Sequence, residues 1–217
     1  MAAEFAISGQ HYLFSVQAFA HTVLAAGGTN YSYAFRNGTT RSVIEDVYSG
    51  RSALGVIFET SENEQEIEAA LDDAGLEFTP LISSRPYVAL PASHPLINAS
   101  SLTLEDLSDY PYIYFEQEKG DGPAFFEEAL SAIPRDKRIA TTDRASLSEL
   151  IAALNGYTVT SGILVGITDG SLLSTVPLET NVTLKMGYIA RVDQKLEGNA
   201  EIFVQSLTKN LNRYVQL

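Results

Sequence analysis

The chain has 217 residues, 45% of them hydrophobic, at a mean hydropathy of +0.02, which is enough apolar side chain for one large domain or two small lobes. Its 27 acidic against 14 basic residues leave a net charge of −13, which repels a phosphate backbone and makes the chain a poor candidate for gripping DNA by itself. Cysteine is absent and only His11, His21 and His94 occur, so disulfide frameworks, thiolate zinc sites and cysteine nucleophiles are excluded; no metal site is expected, with an all-carboxylate site the one kind the composition leaves open.

Taken in chain order, Phe5-Ala6-Ile7 reads as a short buried strand ended by Ser8-Gly9. A helix follows with Tyr12, Val16, Phe19 and Val23 on one face, and Gly27-Gly28 stops it. Tyr31, Tyr33 and Phe35 alternate as in a strand, and Asn37-Gly38 turns the chain into a helix that carries Val43, Ile44 and Val47 inward. Residues 54–58 form an apolar strand, and the acidic residues 62–73 a solvated helix with Ile67 and Leu71 facing inward. Strand-like runs follow at 78–82 and 87–90.

A second alternating set begins near Pro91. His94, before Pro95, is expected in a surface turn, and His21 in a solvated mid-helix position. Thr103-Leu104-Glu105-Asp106 matches a capping box and predicts a short helix. Residues 112–115 read as a strand, 125–133 as a helix and 139–142 as a strand. A helix bearing Leu147, Leu150, Ile151 and Leu154 comes next, then a strand at 157–160. Strands near 173–176 and 184–190 precede a closing amphipathic helix that presents Phe203, Leu207, Leu211 and Tyr214.

This is the pattern of an α/β fold built as two lobes that share crossing strands. Residues 1–84 would open the first lobe, 85–186 would form the second, and 187–217 would return to the first. Small ligands in such folds lie at the carboxyl ends of strands. The loops there supply the candidate ligand contacts. Ser8, Gln10 and His11 stand at the first strand's end, where Ser8 either caps the next helix or faces a ligand. Arg36, Thr39 and Thr40 repeat the arrangement one unit later; one threonine would cap a helix, and Arg36 either pairs with a carboxylate or stays solvated. Ser83, Glu116, Gln117, Thr142, Asp143 and Ser161 are the candidates further along, with Asp143 also suited to cap a helix. Polar groups of both kinds fit a small polar ligand, and the acidic Glu116 and Asp143 suit an amine, so an amino-acid-like molecule is expected.

Catalytic signatures are missing. No Gly-x-Ser-x-Gly elbow, phosphate-binding loop or dinucleotide fingerprint occurs, and Ser8 and His11 are only three residues apart, so no catalytic residue and no cofactor are expected. The start, Met1-Ala2-Ala3-Glu4-Phe5, has neither the basic residues nor the apolar run of a signal peptide, and no stretch approaches the ~20 apolar residues of a membrane span. A cytoplasmic protein without a membrane partner is expected.

Several segments together point to a family. Ser93-His94-Pro95-Leu96, Ser101-Leu102-Thr103-Leu104-Glu105-Asp106-Leu107 and Tyr110-Pro111-Tyr112-Ile113 occur in that order. Leu150-Ile151-Ala152-Ala153-Leu154-Asn155-Gly156-Tyr157 and Ser161-Gly162-Ile163 follow, while Ser8-Gly9-Gln10-His11-Tyr12 stands at the start. The ordered set resembles the sensing domain of LysR-type transcriptional regulators over nearly the whole chain. The family's usual turn after Gly162-Ile163 is altered here to Leu164-Val165-Gly166, and no DNA-binding domain of the helix-turn-helix type is present in the sequence. The resemblance implies a periplasmic-binding-protein-like (type 2) fold with two Rossmann-like subdomains, and a small-molecule effector in the interlobe cleft. It also implies a homodimer or tetramer that touches DNA only through an N-terminal helix-turn-helix. In the family, the first helix of one subunit packs beside the second lobe of its neighbour. A standalone solute receptor of the same fold is the alternative.

Overall fold

Short apolar runs become strands and three-to-four-residue periodicities become helices in most of the chain, as seen in a computed structural model that describes residues 4–165 and 172–215. Residues 1–3, Gly166 of the altered turn and the Tyr214 side chain, all used in the sequence reading, lie outside the described residues. The elements run β1 (Phe5–Gly9), α1 (Leu13–Ala26), β2 (Tyr33–Asn37), α2 (Thr40–Tyr48), β3 (Leu54–Thr60), α3 (Glu64–Asp73), β4 (Leu76–Ser84) and β5 (Tyr87–Pro91). They continue as β6 (Tyr112–Phe115), β7 (Arg138–Thr141), α4 (Arg144–Leu154), β8 (Thr158–Thr160), β9 (Leu173–Pro177), β10 (Leu184–Arg191) and α5 (Asn199–Val215). Two compact units result, one holding the chain up to Ser83 and from Lys185 onward, the other Ser84–Leu184.

The first unit is built on a five-stranded sheet in the order β2-β1-β3-β10-β4. β1 is parallel to both neighbours, with Ser8 opposite Arg36 on one side and Gly55 on the other. Every residue of β1 and β3 is buried, as expected for parallel strands covered on both faces. Val43, Ile44 and Val47 of α2, Ile67 and Leu71 of α3, and Phe203, Leu207 and Leu211 of α5 all face the core, as their spacing predicts. α1 departs from expectation. Its buried face is Phe14, Ser15, Ala18 and Thr22, whereas Val16, Phe19 and Val23 are half-buried. The reason is its partner: α5 packs along α1, small side chains let the two helices approach, and Asn210 Nδ2 donates to the Phe14 carbonyl at 3.4 Å.

In the second unit, β8-β5-β9 form a three-stranded antiparallel sheet, while β6 and β7 pair in parallel. Ile113, Phe115, Leu147, Ile151 and Leu173 make its core, joining β6 to one face of α4. Leu150 only flanks that core, and Leu154 is exposed. Three further expectations fail here. The capping box closes, with Thr103 N and Oγ1 donating to Asp106 and Asp106 N donating to Thr103 Oγ1, yet only turns follow. The segment is held by the Leu102–Leu178 bridge before it and by β6 after it, and its backbone is satisfied by turn bonds, Ser108 N to the Glu105 carbonyl and Tyr110 N to the Leu107 carbonyl, in place of helical ones. His94 is buried rather than on the surface, its Nδ1 accepting from Leu96 N at 3.1 Å and its ring 4.3 Å from that of Tyr110.

The predicted helix at 125–133 is replaced by a single 3-10 turn, Pro123–Phe125, and irregular chain. Long-range bonds outcompete the local helix. The Phe115 N–H donates to Glu128 Oε1 at 2.8 Å, and Leu130 takes φ 61°, a left-handed conformation that breaks helix continuation. Arg135 Nη1 then donates to the carbonyls of Leu130 and Ile133, at 2.8 and 2.6 Å, and holds the segment folded back.

Two predictions follow from this packing. A Cβ at Gly187 in β10 would overlap the Thr79 carbonyl oxygen and lie 2.9 Å from the Phe78 ring. Gly187→Ala should therefore lose about 1–3 kcal/mol of stability in urea denaturation, whereas Gly122→Ala, where nothing lies within 4 Å, should change little. The second concerns pH. Burial, then the neighbouring Glu127, push the Glu128 carboxyl well above its ordinary range. The folded protein thus keeps a proton that the unfolded chain releases, and stability must fall as pH rises from the ordinary glutamate range toward the folded value. Glu128→Gln should flatten that slope in denaturation curves taken across mildly acidic to neutral pH.

Candidate functional site

Because β1 and β2 are parallel, their carboxyl ends adjoin, and the Gly38 N–H donates to the Gly9 carbonyl at 3.1 Å across them. Gln10 leaves β1 at this point and is fully buried. Its Nε2 donates to Thr40 Oγ1 at 2.7 Å, its Oε1 accepts from Phe58 N at 3.0 Å, and its own N–H bonds the Val56 carbonyl at 3.0 Å. Thr40 is the first residue of α2 and is also buried, while Thr39 caps that helix by accepting from Ser42 N at 3.3 Å. Since Gln10 donates to the Thr40 oxygen, the hydroxyl proton of Thr40 is left to donate elsewhere. That donor sits at a helix N-terminus, where the dipole and the first-turn N–H groups favour an anion. His11 follows Gln10 and is half-buried.

Ser8 and Arg36 belong to a different cluster. Ser8 Oγ donates to Asp46 Oδ2 at 2.6 Å and lies 2.8 Å from Ser52 Oγ, while Asp46 pairs with Arg51 at 3.2 Å. Arg36 Nη1 reaches the Arg51 carbonyl at 3.2 Å and Ser52 Oγ at 3.4 Å. Ser8 does not cap a helix: the N-cap of α1 is Tyr12, which makes no side-chain cap bond. The structure thus brings Gln10, Thr39 and Thr40 together and ties Ser8 and Arg36 into an internal network beside them.

In the second unit, Glu116 and Thr142 are exposed at the adjoining ends of β6 and β7, where Glu116 N donates to the Thr141 carbonyl at 2.8 Å. Asp143 caps α4, its Oδ1 accepting from Ser146 N at 2.9 Å. Ser161 is buried; its Oγ accepts from Ile163 N and its carbonyl accepts from Ser84 Oγ, both at 3.4 Å. Gly162 beside it has φ 84° and presses on the Tyr87 ring, where a Cβ would come within 2.6 Å. Ser83, near the end of β4, is exposed. Gln117 donates from Nε2 to the Phe115 carbonyl at 2.8 Å, and its Oε1 has no partner among the described residues.

Glu116 and Gln117 also line a cavity of about 330 Å³ in this unit with Tyr112, Glu128, Arg135 and Arg138. Sequence reasoning named none of the last four as site residues: it read Tyr112 as part of a strand and Glu128 as part of a helix over 125–133, and gave Arg135 and Arg138 no role. The available signal was alternation: with Ile113 and Phe115 directed to the core, Tyr112 and Tyr114 must present two phenols on the opposite face. Among the described residues no group of three metal-ligating side chains is assembled, and no helix is long and apolar enough to cross a membrane.

A family model for the LysR substrate binding domain matches residues 31–212. The HTH-type transcriptional regulator SsuR of Burkholderia cenocepacia is 27% identical over 85 residues, which are 39% of this chain and 25% of that protein, so the match spans about a quarter of the relative's length. Among solved structures, the reduced OxyR regulatory domain from Pseudomonas aeruginosa gives a TM-score of 0.66 at 16% identity, covering 97% of each chain. HinK, a LysR family transcriptional regulator from Pseudomonas aeruginosa, gives 0.63 at 20% identity, over 97% of this chain and 71% of that one. The effector binding domain of QuiR, solved in complex with shikimate, gives 0.61 at 16% identity over 97% of both. At these identities the structural likeness establishes a shared fold, the type 2 periplasmic-binding-protein-like α/β fold. With the family model matched over most of its length, the chain belongs to the LysR substrate binding domain family.

Proposed function

We propose that the chain is the effector-sensing regulatory part of a LysR-type transcriptional regulator and performs no chemistry. The observation that carries this reading is the Gln10–Thr40–Phe58 network, which holds a buried hydroxyl donor at the N-terminus of α2 where two parallel strands end. A small polar metabolite with a carboxylate suits that donor and the helix dipole. Thr39, Thr40, Gln10 and His11 are the proposed contacts in the first unit, with Ser8 and Arg36 holding their surroundings in shape. Ser83, Glu116, Gln117, Thr142, Asp143 and Ser161 are the proposed contributors beyond it, and the acidic Glu116 and Asp143 suit the amine of an amino-acid-like effector.

The effector acts by binding one subunit arrangement better than another, since a ligand shifts an equilibrium only by its differential affinity. The arrangement is proposed to be a homodimer or tetramer in the cytoplasm, with DNA contacted only through an N-terminal helix-turn-helix outside this sequence. Two features support an interface role for α1: α5 occupies its buried face, and Leu24 on its remaining surface is 79% exposed. The charge of −13 fits a part that leaves DNA contact to another domain.

Isothermal titration with a panel of amino acids, sugars and purines tests the effector reading. An amino acid should bind, and Thr40→Val should weaken it about tenfold, the effect of one hydrogen bond in a buried site, while the fold persists. No heat from any amino acid, together with sugar or purine binding that Thr40→Val abolishes, would sink the amino-acid reading. For the regulator reading, the natural gene product should be retained on DNA resin and released by salt. A product that ignores DNA identifies a standalone receptor instead.

A further inference from the structure

The side chains of β6 divide between two faces. Ile113 and Phe115 enter the core beneath α4, and the rings of Tyr112 and Tyr114 stack on the other side, 5.4 Å apart and 7° from parallel. The Arg135 guanidinium lies 4.2 Å over the Tyr112 ring, and that of Arg138 lies 6.0 Å from the Tyr114 centroid. The irregular segment between β6 and β7 folds back over this face and leaves the cavity of about 330 Å³. That volume is at the lower end of small-molecule pockets.

Among the described residues, Tyr112 OH, Glu128 Oε2, Gln117 Oε1 and Arg135 Nη2, all on residues lining it, are buried and have no hydrogen-bond partner. Tyr112 is 1% exposed and Glu128 7%, so water at the molecular surface does not serve them. Buried polar groups in folded proteins are nearly always paired, and such atoms on several residues lining one cavity point to a partner there. Their chemistry restricts that partner. Arg135 Nη2 only donates, Gln117 Oε1 only accepts, and the phenol of Tyr112 does both. Burial and Glu127 keep the Glu128 carboxyl protonated well above its ordinary range, so it too can donate and accept. The charged groups lining it are of both signs, Arg135 and Arg138 against Glu116, Glu118 and Asp121, so neither a simple anion nor a simple cation meets favourable charge alone. Adjacent hydroxyl groups, each a donor and an acceptor, satisfy the whole set without net charge.

We infer that this cavity is a second ligand site, separate from the strand-end cluster of the first unit, and that it takes a neutral polyhydroxylated molecule of about monosaccharide size. It shares Glu116 and Gln117 with the proposed effector contacts, whereas Tyr112, Glu128, Arg135 and Arg138 belong to the cavity alone.

Saturation-transfer NMR on the 217-residue chain, with glucose, xylose and myo-inositol as probes, tests the inference. At least one probe should receive saturation. Tyr112→Phe, which deletes only an unpartnered hydroxyl, should weaken its binding about tenfold while the denaturation midpoint holds or rises. Gln117→Leu should weaken it comparably, Glu128→Gln should retain it because the amide both donates and accepts, and Thr40→Val should leave it unchanged. No transfer to any probe, or transfer that Tyr112→Phe and Gln117→Leu leave intact, overturns the inference and assigns the cavity to water. Binding abolished by Thr40→Val but not by Tyr112→Phe places the sugar at the strand-end cluster and also overturns it.

Discussion

The carboxamide of Gln10 is buried at the place where β1 ends, and everything around the strand-end cluster depends on how it is satisfied. One amide cannot leave a donor and an acceptor unpaired in a parallel sheet covered on both faces. By donating to Thr40 and accepting from Phe58 N, Gln10 locks the first turn of α2 to β1 and β3 at once. The bond to Thr40 then orients that hydroxyl, and Thr39 completes the helix end by capping it. Local capping, sheet closure and the presentation of a donor are therefore consequences of a single buried side chain.

Ser8 and Arg36 complete the same logic one layer deeper. Asp46 of α2 is buried and carries a negative charge; Ser8, Ser52 and Arg51 surround it with a hydroxyl network and a guanidinium. Glu59 at the other end of β3 meets a similar need through Lys185 of β10, whose Nζ lies 3.4 Å from Glu59 and 2.5 Å from Glu64. Burial nonetheless outweighs the lysine and raises the Glu59 carboxyl above its ordinary range. Glu59 thus draws its partner from the distant β10, and Asp46 from Ser8 of β1 and from Arg51 five positions on.

The second unit treats its polar interior differently. Glu128 is held at one oxygen by the Phe115 N–H, and its other oxygen and the hydroxyl of Tyr112 have no partner among the described residues. That arrangement displaced a helix that residues 125–133 would otherwise support. A carboxyl drawn inside by a strand N–H, with Arg135 closing the chain behind it through two carbonyls, outcompetes a short run of intrahelical bonds. The irregular segment that results is what leaves room for a cavity on the second face of β6.

Outside the segments 103–111 and 125–133, element type and order were legible in the sequence because they rest on local periodicity: the buried strands β1 and β3, the inward faces of α2, α3 and α5, and the turns at Gly38 and Gly50 can be read from neighbouring residues. The polar loops at the strand ends were legible too, since parallel strands put their carboxyl ends together. Which of those polar residues meet was decided by tertiary structure alone. Gln10 reaches Thr40 across 30 positions and Phe58 across 48, and Ser8 turns to Asp46 across 38, none of which leaves a mark in local spacing. The buried face of α1 was set by the approach of α5 rather than by its own apolar stripe. The unit 2 cavity exists because a carboxyl found a strand N–H thirteen residues away, a long-range bond that no periodicity encodes.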